Sequence, residues 1–360
     1  MKRFDTGVFL PNAKNGFTFS TAAPSYDPSY QTILDITLLA EEIGLDYVFS
    51  MAKWRGFGGS TEFWDASLES FSLMSALAAA TARIKLIATV TPLLFHPALM
   101  AKMSATLDNV SGGRLGLNIV TGAILKEYAQ MGVLPPGYDK NRYAYATEWV
   151  GALKRLWTEP SVTYDGDYFH LEDCISEPKP LQKPYPFLVC AAASDEGLRF
   201  TAREVDYAFI SEDSIAKTKE KALRAKLIAA EEGTTVKTQV LTMLVIGETN
   251  ADAETYLERL IEGADLTALT HAGRSLSGET RVSTKERGAA LLADGGKIVL
   301  GLPIVGGPTE VAHALIDLAV EGDVDGVLLC FPDFIRGLRQ FGSDVMPILA
   351  NHLDVGLKIS

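Results

Sequence analysis

The sequence predicts an α/β protein built as a (β/α)8 barrel, and three features carry that expectation. Short β-type runs alternate with longer helical patterns along most of the chain, as in βα units around a parallel sheet. Eight such strand candidates can be counted. The glycine-rich GxGxxG fingerprint of a doubly wound nucleotide-binding sheet is missing after the first of them, where "VFLPNAKNGF" offers Pro11, Asn12 and Asn15 instead. Periodicity alone leaves that open sheet as the competing architecture.

In chain order, "TGVFLPN" (6–12) is the first strand and "ILDITLLAEEIG" (33–44) the first amphipathic helix. "DYVFSM" (46–51) follows, then a loop, "AKWRGFGGSTEFWDASL" (52–68), too long to be a simple connection. Asp65 and Glu69 near its end read as capping and solvating the next helix, "ESFSLMSALAAATA" (69–82). The third unit is "IKLIATV" (84–90) with "HPALMAKMSATLDNV" (96–110), and the fourth strand is "LGLNIV" (115–120). Within 158–186, "VTYDGDYFHLEDC" reads as a hairpin with a Tyr-Asp-Gly-Asp turn. "FLVCAAA" (187–193), "DYAFIS" (206–211) and "VLTMLVIG" (240–247) continue the strands. Residues 265–297 are polar without a clear period, and "TEVAHALIDLAVEG" (309–322) and "VDGVLLCFP" (324–332) complete the pattern. The loops 52–68 and 265–297 are expected to be walls or lids over a site. No repeat beyond the βα unit and no domain boundary is visible, so residues 1–360 are read as one barrel domain.

With 47% hydrophobic and 22% charged positions over 360 residues, the chain can bury a large core. Its 33 basic and 45 acidic residues leave a net charge of −12, which disfavours nucleic acid and anionic membranes and points to small molecules and other proteins as partners. Cys174, Cys190 and Cys330 are far apart, with no CxxC spacing, and read as reduced core thiols. The apolar run near the start is too short for a signal peptide, and no stretch approaches the roughly 20 residues of a membrane span, so a cytoplasmic protein is expected. His96, His170, His271, His313 and His352 are scattered without metal-ligand spacing, and no metal is expected. Neither a nucleophile elbow nor a P-loop is present. A chain so poor in candidate acids, bases and nucleophiles leaves the hard chemistry to a cofactor.

The residues that stand out are polar groups in apolar strands. On "LGLNIV", alternation puts Gly116, Asn118 and Val120 on one face, so Asn118 is expected to point into the barrel mouth with room left by Gly116. Thr89 repeats the device on the third strand. Both could equally satisfy internal backbone groups or a buried water. At "CAAASDEGLRF" (190–200), Ser194 falls at a helix N-cap, where free N–H groups suit a phosphate. A plain cap serves as well, and Asp195 and Glu196 weigh against an anion there.

"SGGRLGLNIVTG" (111–122) resembles the fourth-strand signature of the bacterial luciferase-like flavin monooxygenases, and "MAKWRGFGGSTEFWDASLESFSLM" (51–74) resembles more narrowly the Rut-type pyrimidine oxygenases of that family. The likeness runs from "GVFLPN" through "RYAYATEWV" (142–150), resumes at "AASDEG" (192–197) and returns at "GVLLCFPDF" (326–334). It implies a (β/α)8 barrel of the luciferase-like type with insertions. The implied cofactor is reduced FMN, which reacts with O2 to give a flavin peroxide and is supplied by a separate NAD(P)H-dependent flavin reductase. By matching motif, the FMN contacts would be Ala52, Lys53, Asn118, Glu127, Arg142, Tyr143 and Ser194, with Asn118 at the flavin edge or its oxygen and Thr89 at the oxygen pocket. Assembly as a homo-oligomer is expected. Two positions depart from the pyrimidine oxygenases: Phe49 replaces a Leu, and Ala123 replaces a Trp after the strand. Exchanging an indole for a methyl removes an aromatic wall, and Phe49 recovers only part of that volume if it faces the pocket. The expected substrate is therefore a nitrogen heterocycle larger than uracil, such as the riboflavin cleaved by related lyases. A deazaflavin-dependent hydride transfer and a flavin-binding protein without turnover are the alternatives.

Overall fold

The computed structural model describes residues 1–122, 124–192, 194–277 and 298–356. Ala123 and residues 278–297 of the polar segment lie outside the described residues. The strands are β1 (Asp5–Phe9), β2 (Tyr47–Phe49), β3 (Lys85–Val90), β4 (Leu115–Ile119), β5 (Val162–Asp165), β6 (His170–Cys174), β7 (Phe187–Ala191), β8 (Tyr207–Ile210), β9 (Lys237–Ile246), β10 (Leu302–Gly306) and β11 (Gly326–Cys330). The helices relevant to the site are α1 (Tyr30–Glu42), α2 (Ser70–Ala80), α3 (Pro97–Ser111), α4 (Leu125–Ala129), α5 (Tyr138–Thr158), α6 (Asp195–Glu204), α7 (Ile215–Glu231), α8 (Asn250–Glu262) and α9 (Leu266–Ser277). The chain forms two compact units, one of Met1–Glu69, Ile210–Leu223 and the chain from Thr238 onward, the other of Ser70–Phe209 and Arg224–Lys237.

In the first unit β1 pairs in parallel with β2 and β11, β11 with β9, and β9 with β10. Gly7 faces Tyr47 in register, and a Cβ there would lie 2.2 Å from the tyrosine ring. The missing side chain lets the ring lie across the sheet and its hydroxyl donate to the Val327 carbonyl at 2.7 Å. The strand β10 is absent from the sequence reading. Its "LPIVG" carries a proline at the second position and sits among glycines, a pattern that resembles a turn; in the structure Pro303 is an exposed residue of the strand.

In the second unit β3, β4, β7 and β8 form a parallel sheet in that order, and β5 and β6 form the expected antiparallel hairpin. Gly116 serves a different purpose from the one expected. It pairs with Phe187 of β7, whose ring atoms would lie 2.3 Å from a Cβ, so the space is filled by that ring and gives Asn118 no room. Arg114, just before β4, explains the start of the "GGRLG" run. Its guanidinium donates to the carbonyls of Ala78, Thr81 and Ile84 and to the Thr81 hydroxyl, closing the C-terminal end of α2.

One device recurs in both units. Asp46, Asp206 and Asp325 each immediately precede or open a strand and clamp a neighbouring strand at two points. Their N–H groups donate to the carbonyls of Thr6, Leu188 and Thr238, while their carboxylates accept from the N–H of the same three residues at 2.7–2.8 Å. Each carboxylate satisfies a donor at a strand end that has no ladder partner.

Candidate active site

The second unit brings together most of the residues singled out. Thr89 and Asn118 are register partners on β3 and β4, both buried, and Asn118 Nδ2 donates to Thr89 Oγ1 at 3.0 Å. Thr89 is itself held from behind, its N–H donating to the Ser70 hydroxyl at the start of α2 at 2.7 Å. The remaining oxygen of the amide, Asn118 Oδ1, is buried without a partner among the described residues. Burying a carbonyl unpaired costs about 1–3 kcal/mol, so half of this amide is satisfied internally and half is kept available.

Beyond β4 the backbone is pinned. Gly122 has φ +87°, and a Cβ on it would lie 2.9 Å from the ring of Tyr128 in α4. The Tyr138 hydroxyl donates to the Thr121 carbonyl at 2.9 Å. Burial pushes the Tyr128 phenol up to about 12, outweighing its hydrogen bond with Thr91, so it stays protonated at neutral pH. Glu127 beside it is buried. Ala123 lies outside the described residues.

A second cluster forms at the N-terminus of α6. Ser194 is the N-cap, its hydroxyl accepting from the Gly197 N–H at 3.2 Å and keeping its own proton to donate. Gly197 matters because of α5: a Cβ there would lie 2.4 Å from the Tyr143 hydroxyl oxygen. Only a glycine lets that hydroxyl reach the first turn of α6. The Arg142 guanidinium lies 5.0 Å from the Tyr143 ring, adding a cation to the same end. Asp195, which the sequence sets against an anion here, is paired with Arg224 at 2.5 Å, so its charge is largely compensated. Two hydroxyls, an arginine and the positive end of the α6 dipole are groups of the kind that suits a phosphate.

The first unit holds Phe49, Ala52 and Lys53. Phe49 is buried on β2 and packs edge-on against Phe9 at 5.0 Å, while Ala52 is half-buried. The Lys53 ammonium lies over the rings of Phe57 and Trp64, 4.6 and 5.4 Å from their centroids, all within the loop 52–68. Asn12 closes the base of that loop, its Nδ2 donating to the carbonyls of Met51 and Leu68 and its Oδ1 accepting from the Met51 N–H. Asp65 serves the loop rather than the following helix, accepting from the Gly58 N–H at 3.0 Å. The sequence reading missed Tyr128, Gly197 and the role of Asn12, because each acts through a contact with a residue distant along the chain or on another element. Among the described residues no group of side chains is arranged to hold a metal ion, and no helix is long and apolar enough to cross a membrane.

A buried amide held at one end by Thr89 and a hydroxyl-lined helix N-terminus thus sit on one parallel α/β sheet. The family model for luciferase-like monooxygenases matches residues 5–325, and the chain belongs to that family. It is 40% identical over 357 residues, covering 98% of this chain and 96% of the relative, to the pyrimidine monooxygenase RutA of Variovorax paradoxus (strain S110). Among solved structures it is similar to riboflavin lyase RcaE in complex with modified FMN and riboflavin (TM-score 0.86, 23% identity, 99% of this chain and 94% of that one). It also shares the fold of the coenzyme F420-dependent tetrahydromethanopterin reductase of Methanopyrus kandleri (TM-score 0.69, 17% identity, 96% and 99%). The fold class is thus the luciferase-like (β/α)8 barrel, and the protein is a monooxygenase-family enzyme.

Proposed function

We propose that this enzyme uses reduced FMN and O2 to oxidise a nitrogen heterocycle larger than uracil, with the flavin reduced by a separate NAD(P)H-dependent reductase. The observation that carries this reading is the Asn118 amide, buried near the end of β4 with Oδ1 unpartnered among the described residues and Nδ2 bonded to Thr89. When bound, reduced flavin supplies the two electrons with which one atom of O2 enters product and the other leaves as water. Asn118 Oδ1 would accept an N–H from the flavin or the heterocycle. Ser194, Tyr143 and Arg142 would hold the phosphate. Glu127, Ala52 and Lys53 are the further residues that the family resemblance assigns to the cofactor.

The relatives named as pyrimidine monooxygenases support a heterocyclic substrate, and Ala123 in place of their Trp supports a larger one. Oxygen uptake by the purified enzyme with FMN, a flavin reductase, NADH and a panel of heterocycles tests the reading. Uptake coupled to loss of one heterocycle is expected. No uptake with any of them, together with reduction of a substrate by reduced deazaflavin, would assign the chain to hydride transfer instead. Ala123→Trp should shift the profile toward smaller rings while leaving FMN affinity unchanged.

A further inference from the structure

Asp265 lies 204 positions from the loop it holds. It is buried, and its Oδ2 accepts both the N–H and the hydroxyl of Thr61, at 2.7 and 2.8 Å. Oδ1 accepts from the Ala268 N–H at 3.1 Å, so the same carboxylate joins the first turn of α9 to the tip of the 52–68 loop. The loop is shaped for this contact. Gly59 has φ +83°, and a Cβ there would lie 2.3 Å from Asp265 Oδ2, so both the backbone conformation and the close approach require glycine. Six residues further along α9, His271 Nδ1 is 2.8 Å from the Phe57 carbonyl. Phe57 is one of the two rings beneath the Lys53 ammonium, and its N–H donates to the Phe63 carbonyl across the base of the same turn at 2.8 Å.

We infer that Asp265 is a positioning residue for Lys53: it fastens the loop to α9 so that the two move as one body and the ammonium is presented at a fixed place. The loop 52–68 is then a fixed wall of the first unit, tied at its base by Asn12 and at its tip by Asp265. The inference rests on the assignment of Lys53 to the cofactor, and it extends that assignment to a residue with no motif around it. Asp265 does not touch the cofactor itself; it limits where Lys53 can be. Removing it should therefore matter for cofactor binding only while Lys53 is present.

The test combines backbone exchange with a double-mutant cycle. In Asp265→Ala, amide hydrogen exchange across residues 57–63 should rise at least tenfold while β1 and β11 keep their protection. FMN affinity, measured by flavin fluorescence, should fall several-fold in Asp265→Ala and in Lys53→Met, and the double variant should be no weaker than Lys53→Met alone. Thr61→Val, which removes one hydroxyl and keeps the shape of the side chain, should show the same pattern more weakly if Asp265→Ala does not fold. Unchanged exchange at 57–63 would overturn the clamp. Equal losses from the Asp265 change in both backgrounds would overturn its action through Lys53. If Lys53→Met alone leaves FMN affinity unchanged, the cofactor assignment of Lys53 fails, and with it the positioning role, whereas the exchange result still decides whether the clamp exists.

Discussion

Thr89 Oγ1 and Asn118 Nδ2 meet at 3.0 Å across two parallel strands, and this one bond fixes which end of the amide is left over. With Nδ2 bonded, the atom left without a partner among the described residues is the acceptor Oδ1. An amide whose role was purely structural would have both ends satisfied, since leaving one buried carbonyl unpaired costs about 1–3 kcal/mol.

Asn118→Ala should accordingly lower turnover by about 10²–10³-fold, the usual cost of losing one preorganised hydrogen bond at a reacting centre. Because it removes an unsatisfied buried oxygen together with the bond to Thr89, the two effects offset and the melting temperature should stay near that of the parent. Steady-state kinetics and a thermal melt on one preparation decide the matter: full turnover with a lowered melting temperature would make Asn118 a structural residue. Thr89→Val should give a smaller loss of turnover, since it frees the amide to rotate without removing it.

If the proposed phosphate site at the start of α6 is right, Ser194→Ala should weaken FMN binding by about 1–2 kcal/mol, the range for a hydrogen bond to a charged group. Gly197→Ala should weaken it too, because the new Cβ would displace the Tyr143 hydroxyl. Fluorescence titration reads both. Riboflavin, which lacks the phosphate, should bind the two variants and the parent alike, and a parallel loss of riboflavin affinity would move the phosphate elsewhere.

Arg114→Met should destabilise the protein by at least about 1.5–3 kcal/mol, the contribution of one hydrogen bond to a charged group, since it strands carbonyls at and just beyond the end of α2. FMN affinity of the folded fraction should be unaffected. Chemical denaturation gives the stability difference, and a change below about 0.5 kcal/mol, the scale of ordinary surface substitutions, would remove Arg114 from the role of helix anchor.

The clamp at Asp265 carries a pH dependence of determined sign. Burial pushes its carboxyl up, but the hydrogen bonds from Thr61 and Ala268 outweigh burial and hold it below the ordinary carboxylate value. A group whose folded value is depressed contributes its full stabilisation above the unfolded value, about 3.9 for Asp, and loses it as pH falls through the lower folded value. Exchange protection at residues 57–63 should therefore be flat from neutral pH to about 5 after correction for intrinsic rates and decline below about 4. Asp265→Asn should abolish that acid-side decline. A decline that survives the substitution would place the titrating group elsewhere.

Much of the architecture was legible because hydrophobic periodicity is local. The seven helix and strand runs from "TGVFLPN" to "LGLNIV" fall within a few residues of their structural counterparts β1, α1, β2, α2, β3, α3 and β4. The strand β10 was hidden because its proline and flanking glycines mimic a turn, and Gly116 was misread because what fills its space, Phe187, comes from a strand about seventy residues later. Polar residues in apolar strands exposed Asn118 and Thr89. Their mutual bond, and the oxygen left over by it, depends on register between strands, which no single-strand pattern encodes. Asp265 had no signal at all, since its partners Thr61 and Gly59 lie in a distant loop and its own neighbours are polar without period.

Labelled O2 decides the proposed chemistry most directly. The purified enzyme is supplied with FMN, a flavin reductase and NADH under labelled O2, each heterocycle of the panel is added in turn, and products are weighed by mass spectrometry. One labelled oxygen atom in the product of one heterocycle, dependent on both FMN and the reductase and reduced at least 10²-fold in rate in Asn118→Ala, is the expected result. Product formed without label, or labelled product formed at the parent rate by Asn118→Ala, would contradict it.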